Sequence, residues 1–79
     1  MANIDRKLKD MLSNNPENTL DILVVIDDGV DVNKLPINKP KRVMDSIYQS
    51  SMKGKDILDI LDNNNIVSVE LDRKMNILL

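Results

Sequence analysis

The 79-residue chain can form one small domain, and its hydrophobic content of 42% and charged content of 30% are typical of a globular protein. The absence of histidine and cysteine excludes disulfides, zinc sites and the usual nucleophile–base pairs, so we expect a chain that is not an enzyme by itself and takes no cofactor or metal. The net charge of −2 does not favour nucleic-acid binding, and no apolar run approaches the ~20 residues that span a membrane.

The first predicted element is an amphipathic helix over residues 4–13, with apolar residues spaced i, i+4, i+7 and i+8: Ile4, Leu8, Met11 and Leu12. Asn3 or Asp5 can cap its start, and Pro16 cannot continue it. This charged segment lacks the apolar core of a signal peptide. We therefore expect either a cytoplasmic protein or a segment excised from a larger precursor.

The stretch TLDILVVIDDG, rich in Ile and Val and bounded by turn residues, predicts a strand. One predicted face carries Leu20, Ile22, Val24 and Ile26. The other carries Asp21, Leu23, Val25 and Asp27. Because both faces are apolar in mid-strand, we expect a central strand that is covered on one side and partly covered on the other.

The middle of the chain is less regular. Gly29, Pro36 and Pro40 interrupt residues 28–41, which we interpret as a loop in which DVNKLP can form one helical turn capped by Asp31. The imperfect alternation of KRVMDSIYQSSMK predicts a strand over residues 42–48 and a second short one near 50–53, or a single bent strand.

The segment GKDILDILDNNN predicts a helix over residues 55–62, followed by a left-handed turn at residues 63–65. The segment IVSVELD then predicts a strand, with Val67, Val69 and Leu71 on one face and Ile66, Ser68, Glu70 and Asp72 on the other. The order of elements indicates an α+β fold with helices packed on one face of a small sheet.

Four motifs group charged side chains, and each has a structural interpretation. DDGVD can hold Ca²⁺ or Mg²⁺, but it lacks the EF-hand spacing and is better explained as a turn in which Gly29 takes a positive φ and Asp31 caps. NKPKR can contact phosphates, but a solvated loop explains it better because no aromatic side chain accompanies it. The acidic side of KDILDILD is interpreted as a solvated helix face. SVELD places Glu70 and Asp72 on one sheet face, either towards solvent or towards helix N-termini of a partner, which attract carboxylates.

Residues 50–78, SSMKGKDILDILDNNNIVSVELDRKMNIL, resemble the end of a subtilisin-family propeptide. The shared features are a short strand, a helix that ends in a polar turn, a strand containing V-E-x-D and an extended tail. The resemblance implies a modified ferredoxin-like βαββαβ domain over residues 1–72, with a small antiparallel sheet and an extra N-terminal helix, followed by a tail over 73–79. The helix that usually joins the first two strands is shortened or missing, since Pro36 and Pro40 lie there.

The same resemblance implies an intramolecular chaperone and active-site inhibitor of a subtilisin-like serine protease. Glu70 and Asp72 match the motif's carboxylates and would cap two surface helices of the protease. The tail would lie substrate-like in the cleft by β-augmentation, through Met75, Asn76, Ile77, Leu78 and Leu79. Either Leu78 or Leu79 would fill the primary pocket. Alternatives are a ferredoxin-like interaction or regulatory module that dimerises through its sheet, and an amino-acid-binding regulatory domain of similar build.

Overall fold

The computed structural model describes residues 1–73 of the chain, which form a five-stranded sheet with two helices. The elements are β1 (Asn3–Ile4), α1 (Arg6–Asn14), β2 (Thr19–Ile26), a 3₁₀ turn (Val32–Lys34), β3 (Lys41–Met44), β4 (Ile47–Lys53), α2 (Gly54–Ile60) and β5 (Ile66–Leu71). The α+β class predicted from the order of elements is confirmed. Neither helix in this range is long and apolar enough to cross a membrane.

The strands lie in the order β1-β5-β2-β4-β3. β2 is antiparallel to both β4 and β5, and β3 is antiparallel to β4, whereas β1 is parallel to β5. The sheet is therefore mixed, and the predicted purely antiparallel sheet is wrong at its first strand. This order does not by itself establish a ferredoxin-like topology, because β1 adds an edge strand and only a 3₁₀ turn lies between β2 and β3.

β2 is the middle strand, as its sequence predicts. Ile22 and Val24 are fully buried on the side covered by the helices, while Leu23 and Val25 on the other side are half-buried. The predicted division of this strand into a covered and a partly covered face is confirmed. The apolar content of both faces is the signal that distinguishes it from an edge strand.

The N-terminal helix begins later than predicted because Asn3 and Ile4 form β1, opposite Ser68 and Val69 of β5. Asp5 is the N-cap, and its carboxylate accepts a hydrogen bond from the Leu8 backbone N–H at 3.4 Å. The buried stripe of α1 consists of two leucines, Leu8 and Leu12. Met11 lies at the margin of the stripe and is 39% exposed.

The strands β3 and β4 form a hairpin whose turn is at Asp45 and Ser46, so the predicted break near residue 49 is wrong. β4 is continuous because residues 47–53 pair with β2 without interruption. Ser46 has a φ of 64°, its hydroxyl donates to the Asp28 carboxylate at 2.7 Å, and its carbonyl accepts from the Ile26 N–H at 2.9 Å. Contacts to the end of β2 therefore fix a turn that has no glycine to mark it.

α2 begins at Gly54, which lies against the end of α1. Its N–H donates to the Asn18 carbonyl at 2.9 Å, and the next N–H donates to the Pro16 carbonyl at the same distance. A Cβ at position 54 would lie 3.1 Å from the Asn15 carbonyl oxygen and 3.2 Å from that of Leu12. The absence of a side chain is what allows the two helices to approach this closely.

The helix α2 ends at Ile60, and the left-handed turn predicted at residues 63–65 is wrong. Within residues 1–73 positive φ angles occur at Gly29, Lys39 and Ser46. The turn is instead stabilised by two hydrogen bonds to Asn63. Its side-chain amide oxygen accepts from the Asn65 N–H at 2.9 Å, and its backbone carbonyl accepts from the Ile66 N–H at 3.0 Å. This turn leads directly into β5.

β5 contains a bulge that reverses part of its predicted pattern. Val25 pairs with Ser68, but Ile26 pairs with Ile66, so Val67 lies outside the regular register. Ile66 is 4% exposed and Val67 is 39% exposed. The prediction that Val67 shares a face with Val69, and Ile66 with Ser68, is therefore wrong, because Ile66 is buried on the core side with Val69.

The segment between β2 and β3 contributes to the core despite its irregular backbone. Gly29 has a φ of 80°, and the Asp31 carboxylate caps the 3₁₀ turn by accepting from the Asn33 N–H at 3.0 Å, so the predicted turn is confirmed. Val32, Leu35 and Ile37 from this segment are buried together with residues of both helices. The loop thus covers part of the same side of the sheet as the helices.

Candidate protein-docking face

The side of the sheet opposite the helices, here called the open face, is the candidate docking surface. Strand registers arrange its side chains in two adjacent rows. One row runs across β5, β2, β4 and β3 as Glu70, Leu23, Gln49 and Lys41. The next row runs across the same strands as Ser68, Val25, Ile47 and Met44.

The centre of the open face is apolar. Leu23, Val25 and Ile47 are half-buried there, and Met44 at the edge strand is 58% exposed. The four side chains are neighbours across three strands, so they form a continuous strip rather than isolated apolar positions. Contiguous exposed apolar surface rimmed by polar residues is typical of protein-interaction sites.

Glu70 lies at one end of the first row, opposite Leu23 on the neighbouring strand. Its side chain is exposed, and within residues 1–73 no ion pair or side-chain hydrogen bond engages its carboxylate. The sequence predicts that Glu70 and Asp72 project from one sheet face, and the strand register places Glu70 on the open face. A carboxylate in this setting can bind a cationic group or a helix N-terminus of another molecule.

Asp72 differs from Glu70 in its surroundings. It follows the end of β5, is half-buried, and donates its backbone N–H to the Asp21 carbonyl at 2.9 Å. Asp21 in turn accepts hydrogen bonds at its carboxylate from the Ser51 hydroxyl and, at 3.3 Å, from the Gln49 amide. The two predicted docking carboxylates therefore lie near the same end of the sheet, but Glu70 is the more exposed.

The predicted cleft-binding residues lie outside the described residues. These are Met75, Asn76, Ile77, Leu78 and Leu79. The choice between Leu78 and Leu79 for a primary pocket stays a prediction from the sequence.

The acidic and basic motifs take part in local structure. Of the DDGVD carboxylates, Asp28 accepts from Ser46 and Asp31 caps the 3₁₀ turn. In NKPKR, Arg42 forms an exposed ion pair with Asp45. No group of three or more acidic, His or Cys side chains in the described part of the chain is arranged to hold a metal ion.

One electrostatic cluster lies where α1 and β4 meet α2. The Glu17 carboxylate is 3.4 Å from the Lys55 ammonium and 3.5 Å from that of Lys53. The hydrogen bond and the charge of Lys55, with a smaller contribution from Lys53, hold the pKa of Glu17 below its ordinary value. This cluster joins elements next to Gly54 and is not part of the open face.

Sequence reasoning missed the contribution of the hairpin to the open face. The sequence predicts a strand for Met44 and Ile47 without fixing where it ends, so it does not identify their neighbours across the sheet. The polar pair Asp45–Ser46, between two β-branched segments, is the one local sign of a turn at this point.

No protein-family model matches this chain, and comparisons with characterised proteins and with solved structures find no match either.

Proposed function

We propose that this chain is a prodomain-type inhibitor and folding chaperone of a subtilisin-like serine protease. The observation that carries the proposal is the open face, on which an apolar strip ends beside the exposed carboxylate of Glu70. The sequence resemblance over residues 50–78 supplies the partner class, and the geometry of the face supplies a surface suited to docking.

Such a face fits two neighbouring helices of a partner. The strip Leu23, Val25 and Ile47 would pack against apolar side chains on those helices, since burial of apolar surface provides most of the free energy of association. Glu70 would accept hydrogen bonds from unpaired N–H groups at a helix N-terminus, where a carboxylate also interacts favourably with the helix dipole. Asp72 is the second candidate for such a cap.

The strand order is compatible with the modified ferredoxin-like unit that the resemblance implies. Apart from β1, the order β5-β2-β4-β3 has antiparallel neighbours throughout, and α2 joins β4 to β5. In this arrangement the loop over residues 28–41 replaces the helix that usually follows the first strand. The tail would continue from β5 into the substrate cleft and pair its backbone with the edge strands there.

Titration against a subtilisin-type protease tests the open face. Met44→Asp places a charge on the exposed end of the apolar strip, and we expect a clear rise in the inhibition constant because the charge must be desolvated on docking. Glu70→Gln should raise the inhibition constant by about two- to ten-fold, the range expected when one carboxylate at a helix N-terminus is lost.

Asn33→Asp is the matched control, since it adds the same charge at an exposed position in the 3₁₀ turn, away from the open face. Its inhibition constant should equal that of the unmodified chain. Equal inhibition by all four proteins would contradict docking through the open face, and so would equal losses in all three variants.

The open face also supports the alternative of a module that dimerises through its sheet, because the same strip could pack against a second copy. Sedimentation equilibrium distinguishes the two functions. Inhibition by a monomeric chain supports the proposal of a protease inhibitor. A stable dimer that is disrupted by Met44→Asp and does not inhibit the protease supports the alternative.

A further inference from the structure

A groove lies at the edge of the sheet that is formed by β1 and β5. β1 ends at Ile4, opposite Val69, and leaves the last two residues of β5 without a β1 partner. α1 turns away at this point, and a groove of about 480 Å³ opens between the helix and the end of β5. Its apolar lining comes from Leu8, Met11 and Leu71.

The groove begins where the described chain ends. Arg73 is one of its lining residues, so the segment that follows, KMNILL over residues 74–79, starts at the groove itself. An extended chain rises at most about 3.3–3.6 Å per residue, so six residues reach well beyond one turn of α1. Four of these six residues are Met, Ile or Leu, which match an apolar lining.

We propose that residues 74–79 dock into this groove in the free protein. Met11, 39% exposed at the margin of the α1 stripe, is the contact that the segment would cover. Lys7 and Arg73 line the groove together with Asp5 and Glu70, so both charge signs surround its apolar centre. Docking would remove apolar surface from water in both the groove and the tail.

This inference concerns the free chain and does not depend on the protease proposal. If both hold, docking in the groove and binding in a protease cleft compete for the same residues. The apparent affinity for the protease is then reduced by the fraction of molecules whose tail is released.

Methyl NMR of the free chain tests the docking directly. We expect nuclear Overhauser effects between the Met11 methyl group and methyl groups of Ile77, Leu78 or Leu79. Matching effects from the Leu8 methyl groups, which line the same groove, should vanish in Met11→Asp, whose exposed position should leave the fold intact, and persist in Val43→Asp, a matched change at the opposite sheet edge, 52% exposed.

Absence of these effects in a folded chain would overturn the proposal. A sample that mixes two isotope-labelling patterns identifies contacts between molecules; effects that arise only between copies would also overturn it. As an independent readout, Met11→Asp should tighten inhibition of a cognate protease by up to about five-fold, the gain expected if about one fifth of the tails are free beforehand. Loss of all inhibition in every protein would count against the proposed function and leave the NMR result unaffected.

Discussion

At the scale of single residues, Gly54 shows how a tertiary contact determines a residue type. Its φ is not in the left-handed region, so alanine would be conformationally acceptable at this first position of α2. The atoms that a Cβ would meet are backbone atoms of Leu12, Asn15 and Pro16 at 3.1–3.2 Å, which cannot rotate away.

We predict that Gly54→Ala lowers the free energy of unfolding by about 1–2 kcal/mol, because the added Cβ overpacks the contact between α1 and α2. Urea denaturation followed by circular dichroism measures this change. Asp59→Ala on the exposed side of α2 is the control, and it should be neutral or slightly stabilising. An unchanged or higher stability of Gly54→Ala would show that α1 and α2 do not approach as described.

Glu17 gives a prediction for pH dependence. Its pKa is lowered in the folded state, chiefly by Lys55, so the interaction stabilises the fold above the ordinary Glu pKa of 4.5 and is lost as the pH falls through the folded value. Lys55→Met should raise the Glu17 pKa towards 4.5 in an NMR titration, whereas Lys34→Met should not move it. An ordinary pKa in the unmodified protein would contradict the cluster.

At the scale of elements, the sequence predicts periodic structure better than its interruptions. The alternation in TLDILVVI identifies β2 and its two faces, and the spacing of Leu8 and Leu12 identifies α1. Ser46, by contrast, adopts its left-handed conformation through contacts with Asp28 and Ile26, which lie at least 18 residues away along the chain. No local pattern around Ser46 contains that information.

The bulge in β5 also depends on contacts with a distant segment, since it arises in the pairing with β2. Two neighbouring substitutions test it. Ile66→Ala should destabilise by roughly 2–5 kcal/mol because it leaves a cavity in the core, whereas Val67→Ala should cost less than about 1 kcal/mol. Thermal or urea unfolding of the pair measures the difference. The reverse ranking would mean that the strand alternates regularly, with Val67 facing the core.

In the candidate site, too, the sequence predicts some features and not others. The Glu70 position follows from the local pattern V-E-x-D, and the structure places it beside Leu23 as a strand register requires. The apolar strip as a whole could not be predicted, because it depends on the order of β5, β2, β4 and β3 in the sheet. Strand order is set by long-range packing of the core and not by any one segment.

At the scale of the whole molecule, a small core is combined with a sheet face that the helices leave uncovered. The 79 residues include no Phe or Trp, so the core consists of aliphatic side chains from both helices, the loop and the sheet. A domain of this size is marginal on its own and gains stability from any partner that binds only the folded state. The open face and the apolar C-terminal residues are the parts of the chain that such a partner would bury.

We propose that this chain inhibits a subtilisin-like protease by placing its C-terminal residues in the cleft. The most direct test is the steady-state inhibition constant of the full chain and of a variant lacking Met75–Leu79, measured against the same protease with a peptide substrate. We predict competitive inhibition by the full chain and its loss, by a factor of at least about 100, in the truncated chain, which still docks through the open face; two to three desolvated apolar side chains account for a loss of this size. Equal inhibition constants, or no inhibition by the full chain against its cognate protease, would contradict the claim.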